Sequence, residues 1–342
     1  MSAPVDGDDA RIRLAHGAGG RAMRALIESV FLADSDDPEA RAMDDGAAIR
    51  CGDRWLVLTT DAHVVAPIFF PGGDIGRLGV AGAVNDLAVM GACEPLGLTC
   101  SVIVEEGFPI ASLRRVQASL RATAREAGTR IVAGDTKVMR QGELDGLVLS
   151  TTGVGFTERV VRDAGLEPGD AIVVTGDIGD HGLAVLSARH ALGLEGDLRS
   201  DVAPINGLVR AALAAGGPAV HAMKDPTRGG VTSALVEMAQ KAGVSILLDE
   251  ATLPLSAPGR AAAELLGIDP LVVANEGKAL LGVRPDALAS VLAALRAHPL
   301  GARAASIGRV VPHGAPGVVL LDTGFGTRRL LERDDDPLPR IC

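Results

Sequence analysis

Residues 98–137, LTCSVIVEEGFPIASLRRVQASLRATAREAGTRIVAGDTK, decide the reading of the fold. Residues 98–104 form a short, largely apolar run, the composition of a buried strand. Ser112 then reads as a helix N-cap. Behind it Leu113, Val116, Leu120, Ala124 and Ala127 recur at the spacing that lines one helix face, and Gly128 reads as the stop. Residues 130–133 read as the next strand, running into a polar loop, Gly134-Asp135-Thr136-Lys137. Strand, helix and strand in one stretch predict α/β or α+β architecture, with helices laid against a sheet.

The same alternation extends in both directions. Toward the N-terminus, the turn Asp44-Asp45-Gly46-Ala47 precedes a short strand. Residues 55–60 form a strand ending at Asp61, and residues 74–90 a helix carrying Val84-Asn85-Asp86-Leu87. Residues 146–156 complete this half. A second unit starts near Gly165, with strands at 171–175, 244–249, 279–283, 306–311 and 318–321. Its helices fall at 179–191, 206–215, 231–242 and 286–298. The expected divisions are a glycine-rich N-terminal segment and helix (1–36), an N-terminal domain (37–160), a C-terminal α/β domain (165–330) and a tail (331–342). The length suffices for two full cores.

Composition narrows the function. The chain has 342 residues, is 47% hydrophobic and only 2% aromatic, and carries a net charge of −10. Few aromatic platforms and an acidic balance argue against a nucleic-acid partner. No apolar run is long enough to span a membrane and the N-terminus is acidic, so the cytoplasm is expected. Cys51, Cys93, Cys100 and Cys342 lack zinc-ligand spacing and read as free thiols. Only four lysines occur, Lys137, Lys224, Lys241 and Lys278, and three of them lie in polar, glycine-flanked segments. A compact ammonium there suits phosphate contact or proton transfer, tasks at which arginine is a poor substitute.

The aspartates form a pattern. Asp45, Asp61, Asp86, Asp135 and Asp225 fall in turns, at strand ends or beside Asn85 in a helix. Each alone is as readily a cap or turn former. Together with Lys137 and Thr136 they suggest a site in which carboxylates hold Mg²⁺ against a nucleotide. Arg228-Gly229-Gly230 directly before a helix is a candidate anion cradle. Gly17, Gly19 and Gly20 in LAHGAGGRAM either approach a ligand closely or simply lead flexibly into a helix. His181 either donates to a phosphate or is structural. The chain ends Pro337-Leu-Pro-Arg-Ile-Cys342, after Asp334-Asp335-Asp336. Two prolines favour an extended form, and ten extended residues reach roughly 30 Å. This end is either a delivering arm tipped by a thiol or an acidic terminus with an incidental cysteine.

LAHGAGGRAM, DDGA, TTDAHVV, PIFFPGGDIGRL, VNDLAVMGA, AGDTKV, GDHG, DPTRGGV, NEGK and the terminal PLPRIC, in this order, resemble the HypE family, the carbamoyl dehydratases of [NiFe]-hydrogenase maturation. The resemblance runs from about residue 11 to the end. It implies a two-domain fold of the aminoimidazole-ribonucleotide-synthetase type, a homodimer paired through the N-terminal domains, and ATP and Mg²⁺ in the cleft. It further implies that a HypF-like carbamoyltransferase loads Cys342. ATP then drives dehydration of the S-carboxamide to an S-cyanide, and the cyano group passes to iron on a HypC–HypD-like scaffold. Within that chemistry Glu276, in NEGK, is expected to be the principal base, with Lys137 assisting; both are read as lying in loops just after strands. Two other readings compete: a small-molecule kinase or synthetase of the selenophosphate or thiamine-phosphate type, and a non-enzymatic assembly scaffold.

Overall fold

This computed structural model describes residues 11–192, 197–311, 315–331 and 341. Strands β1 (Ala47–Cys51) and β2 (Arg54–His63) open a five-stranded sheet. The two-residue strands β3 (Phe69–Phe70) and β4 (Gly73–Asp74) form a separate ladder. Strands β5 (Pro95–Glu105), β6 (Ile131–Met139) and β7 (Leu147–Thr157) complete the first sheet in the order β1-β2-β7-β5-β6. Only β5 and β6 run parallel, because α4 (Ile110–Glu126) carries the chain back between them. Near the other edge Arg50 stacks on Trp55, the single tryptophan, 5.2 Å from the ring centre.

The second sheet contains β8 (Ala171–Val174), β9 (Val220–Lys224), β10 (Ser245–Asp249), β11 (Leu280–Val283), β12 (Ala305–Val311), β13 (Val318–Asp322) and β14 (Thr327–Leu330). Their order is β14-β13-β10-β12-β8-β11-β9. The other helices are α1 (Arg21–Leu26), α2 (Pro38–Ala42), α3 (Ile75–Val89), α5 (Asp180–His190), α6 (Asn206–Gly216), α7 (Gly230–Ala242), α8 (Ala257–Leu266) and α9 (Leu288–Ala297).

Helix α3 is the element that joins the halves. Its N-cap Asp74 accepts from the Gly76 and Arg77 N–H groups. It is apolar on nearly every side because β2 and β7 lie under it, α4 beside it and α6 of the second unit behind it. Ala88 and Val89 belong to the same buried cluster as α6, α9, β8 and β11, so the two units share a core. At Gly82 a Cβ would stand 2.8 Å from Asp61 Oδ2. Only glycine allows α3 to lie this close to that carboxylate.

Three local expectations need correction. Helix α4 begins at Ile110 with Pro109 in the N-cap position, so Ser112 lies within the first turn. The proline presets φ and has no N–H to satisfy, which lets the helix start earlier. Gly134-Asp135-Thr136-Lys137 is strand, not loop: these residues pair in register with Cys100, Ser101, Val102 and Ile103 of β5. Likewise β2 does not end at Asp61. Its pairing with β7 continues to His63, which places Asp61 opposite Thr151.

Candidate functional site

Two sets of acidic side chains meet where α3, β2, the β9–α7 connection and the segment before β11 converge. In the first set the carboxylates are buried near one another, and Lys224 and Arg228 only partly offset their charge. Asp86, in the last turn of α3, accepts a 2.6 Å hydrogen bond from Thr59 Oγ1 of β2. Burial pushes its carboxyl well above the ordinary range, and the charges of Asp225, Asp61 and Asp45 push it further. Asp225 follows β9 and is raised well above its usual value, first by burial and then by Asp45 and Asp61, against the pull of Lys224. Glu276, 3% exposed, is raised by burial, then by Asp225, Asp61 and Asp201, with Arg228 opposing. Asp225 Oδ2 and Glu276 Oε1 are buried without a hydrogen-bond partner. Such orphaned acceptors cost free energy unless something donates to them or binds them.

In the second set each carboxylate has a lysine or arginine within ion-pair distance, although Asp163 Oδ1 is also buried without a hydrogen-bond partner. Lys224 Nζ lies 2.5 Å from Asp45 Oδ1, 3.4 Å from Glu237 and 3.5 Å from Asp163. Burial alone would lower its pKa, yet these three carboxylates hold it well above its ordinary value. Lys241 Nζ bonds Asp163 at 2.7 Å and the Met43 carbonyl at 2.7 Å. Arg162 forks onto Glu39 and Asp44, each at 2.6 Å. These pairs tie residues before β1 to the second unit.

The N-terminal glycine segment closes one wall. A Cβ on Gly19 would come within 2.6 Å of the Arg228 Cβ, so this backbone lies directly on the start of α7. Arg228 Nη1 reaches the Gly17 carbonyl at 3.4 Å. Gly229, at φ 77, is the N-cap of α7, and Gly230, at φ 63, is its first residue. A cavity of about 190 Å³ lies between these parts, with Gly19, Gly20, Asp45, Lys224, Asp225 and Arg228 on its polar side. Met23, Ile27 and Met43 supply apolar wall. The arrangement offers an apolar slot, an unpaired helix start and nearby carboxylates, the elements of a nucleotide site.

Some expected residues lie elsewhere. Asp135, Thr136 and Lys137 lie on β6, an exposed edge strand, and Asp135 Oδ1 accepts from the Thr136 N–H. Three strand spacings, β2 to β7 to β5 to β6, separate them from Asp61, about 14 Å across the sheet. Lys137 therefore sits within a strand and apart from the carboxylates of its own chain. Glu276 also does not follow a strand; NEGK precedes β11 after a 3-10 turn at Pro270–Val272. Asn85 is a strut. Its Nδ2 donates to the Ala203 and Glu276 carbonyls, and its Oδ1 accepts from the Ile205 N–H. Every strong hydrogen-bonding direction used there points at protein backbone, and the bond to Glu276 fixes the candidate base.

His181 is fully buried at the start of α5, with Ser200 Oγ 2.7 Å from Nδ1 and the Ile341 carbonyl 3.0 Å from Nε2. Burial lowers its pKa against the raising effects of Asp201 and the Ile341 carbonyl. Its ring is thus committed to the chain's penultimate residue. Cys342 itself, and the tail residues 332–340, lie outside the described residues. Sequence reasoning missed Asp201, which accepts from the Glu276 N–H at 3.1 Å and from Lys278 Nζ at 3.0 Å. Burial would raise Asp201, but Lys278, His181 and the Glu276 N–H together hold it below the usual range. Lys224 and Lys278 were visible as two of only four lysines, though not their partners.

Among the described residues, no three acidic, histidine or cysteine side chains stand close enough to enclose a metal ion by themselves. Mg²⁺ usually takes only one or two carboxylates and completes its shell with phosphate oxygens and water. The orphaned oxygens of Asp225 and Glu276, in a cluster short of positive charge, fit that mode.

Comparison with known proteins shows the family and the fold. Residues 43–157 match the family model of the AIR synthase related protein N-terminal domain, and residues 167–320 that of its C-terminal domain. Carbamoyl dehydratase HypE of Rhizobium leguminosarum bv. viciae is 46% identical over 341 residues, covering 99% of this chain and 97% of that protein. The crystal structure of a HypE–HypF complex matches with a TM-score of 0.85 at 41% identity, over 90% of this chain and all of that one. A HypE crystal structure in complex with ATP matches at 0.81 and 39% identity, over 97% of this chain and all of that one. With both domain models matched in order and near-complete coverage of its relatives, this chain belongs to the HypE family of carbamoyl dehydratases, on the AIR synthase fold.

Proposed function

We propose that this chain dehydrates a carbamoyl group carried as an S-carboxamide on Cys342, using ATP, and so makes a protein-bound thiocyanate for the iron of a [NiFe]-hydrogenase. The observation that carries this reading is the buried seat of Ile341, the residue bonded to Cys342. Its carbonyl is held by His181 next to Ser200-Asp201, and Asp201 in turn holds Glu276. A segment seated on a histidine whose neighbours fix Glu276 suits a substrate-carrying arm.

The balance is R–S–C(O)NH₂ + ATP → R–S–C≡N + ADP + phosphate. Transfer of the γ-phosphoryl group to the carbamoyl oxygen turns a poor leaving group into phosphate. One nitrogen proton leaves as the C=N bond forms and the second as the C–O bond breaks. Glu276 is the base we assign. Its Oε1 is buried with no hydrogen-bond partner and so has a lone pair left for a proton, and Asn85 and Asp201 fix its backbone. One or two of Asp61, Asp86 and Asp225 would hold Mg²⁺, with phosphate oxygens and water completing its shell, and the ion would supply charge neutralisation for the phosphates. Asp45 stays with Lys224, and the nucleotide would lie in the cavity between Gly19-Gly20 and Arg228-Gly229-Gly230.

Asp135, Thr136 and Lys137 enter this scheme through a homodimer. Residues 132–138 of β6 are all exposed, Val132 and Val138 among them, along a strand that pairs only with β5 among the described residues. An edge of that length and apolarity favours burial against a second copy, which would bring Lys137 to the partner's cleft. We further propose a HypF-like carbamoyltransferase as donor, a HypC–HypD-like iron scaffold as acceptor, and a cytoplasmic setting, where thiols stay reduced.

The test is mass spectrometry of the C-terminal peptide after incubation with the carbamoyltransferase, carbamoyl phosphate and ATP. Gain of a carbamoyl group followed by ATP-dependent loss of water supports the proposal. A carbamoylated peptide that never loses water, with ATP consumed or merely bound, would favour a kinase or a scaffold.

A further inference from the structure

Ile341 is 6% exposed and belongs to the buried cluster that includes Phe70, Leu183, Val185 and Val202. Its carbonyl can only accept, so His181 Nε2 carries the proton of that 3.0 Å bond. In the neutral ring Nδ1 is then an acceptor, and the Ser200 hydroxyl donates to it at 2.7 Å. Ser200 Oγ still accepts from the Val202 N–H at 3.0 Å. One tautomer alone satisfies all three contacts, and the Phe70 ring stands edge-on to the imidazole at 5.5 Å.

Ser200 is fixed from the other domain as well. Its N–H donates to the Pro71 carbonyl at 2.8 Å, and a Cβ on Gly72 would come within 2.6 Å of its oxygen. The next residue, Asp201, grips both the Glu276 N–H and Lys278 Nζ, while Gly277 packs so closely that a Cβ would lie 2.0 Å from the Asp201 carbonyl. Two consecutive residues therefore hold the His181–Ile341 contact with one side chain and the Glu276 segment with the other.

We propose that His181, with its tautomer set by Ser200, is a positioning residue that seats the penultimate residue of the chain in register with Glu276. The dehydration role rests on the reading given above; the seat does not. Phenylalanine at 181 keeps a ring and removes both nitrogens, whereas glutamine keeps an N–H donor at similar reach.

The experiment compares the full-length chain with His181→Phe, His181→Gln and Ser200→Ala. Iodoacetamide labelling of Cys342 is timed by mass spectrometry, with the exposed Cys51 of the same molecule as internal reference. Single-turnover dehydration of the carbamoylated chain is then measured at saturating ATP. For His181→Phe the Cys342-to-Cys51 labelling ratio should rise about tenfold, equivalent to about 1.4 kcal/mol. Dehydration should fall by a similar factor with the KM for ATP unchanged. His181→Gln should stay near wild type, and Ser200→Ala should shift both readouts in the same direction by about threefold. Unchanged labelling and rate in His181→Phe would overturn the proposal, as would an equal loss in His181→Gln. Should His181→Phe fail to fold, Ser200→Ala decides, and no change there overturns the proposal. Labelling needs neither ATP nor carbamoyl transfer. A shifted ratio in a chain whose wild type never loses water would refute the dehydratase reading and leave the seat standing.

Discussion

The cleft has two acidic faces, and they differ in what answers their charge. On one, Asp44, Asp45 and Asp163 meet Arg162, Lys224 and Lys241 at 2.5 to 3.7 Å. On the other, Asp86, Asp225 and Glu276 are buried mainly against one another, and two of their oxygens have no partner. A buried pair broken on one side is costly, whereas a buried carboxylate without a cation is costly already. The first face is therefore a joint between domains. On the reading proposed above the second is kept for a cation and a substrate, and stability and activity should respond oppositely on the two.

Glu276→Gln should give the largest effect: dehydration slowed about 10³-fold, the usual scale for a lost general base, with unfolding free energy unchanged or slightly higher. Single-turnover mass spectrometry and urea unfolding on the same sample test both halves of that statement. A variant that dehydrates at the normal rate removes Glu276 from the role. Lys224→Met should show the reverse signature, a loss of about 3 kcal/mol of stability, because Asp45 is left buried without its lysine while Asp163 keeps Lys241. Urea denaturation measures it, and a near-neutral result would mean that the first face is not a joint.

Asp225→Asn should stabilise the ligand-free chain by on the order of 1 kcal/mol, with a definite pH dependence. Its carboxyl is raised on folding, so the folded state retains a proton that the unfolded state has given up. Wild-type stability is then full below the unfolded value, near 4, and falls as pH rises through the raised folded value. The advantage of the asparagine should grow from pH 5 to pH 8 in thermal melts. Added Mg²⁺ with nucleotide should raise the wild-type melting temperature more than that of the variant. The smallest effect is expected from Lys137→Gln, below about 0.5 kcal/mol in unfolding, since this side chain is exposed. If a second copy completes the site, the same variant should nonetheless dehydrate more slowly as a dimer.

Much of the fold could be read from local pattern. The helix at 74–90, the strand at 98–104 and the helix before Gly243 are strongly apolar or periodic, and they appear as α3, β5 and α7. Elements whose identity comes from a distant neighbour were not legible. Gly134-Asp135-Thr136-Lys137 has turn composition, yet the β5 backbone next to it makes it strand. Strands β9 and β14 are short and lack a distinctive period, whereas α8, with Ser256 as N-cap, a proline in its first turn and Gly267 as its stop, carried signals that the sequence reading passed over. In the site, Asp45, Asp61, Asp86, Asp225 and the two glycine segments converge as their residue types suggest. Asn85 and His181 spend their side chains on bonds to Glu276, Ala203, Ile205, Ser200 and Ile341. Those partners lie up to 191 residues away, and no local pattern announces them.

Trp55, the only indole, lies on the first sheet beside Arg50, with its strand paired to Thr157. With no tyrosine in the chain, ultraviolet-excited emission would follow the melting of that half alone, while circular dichroism follows both. A single shared transition by the two signals would mean that the common core around α3 makes the halves melt cooperatively. If Lys224→Met splits that transition, the emission change would identify which half lets go first.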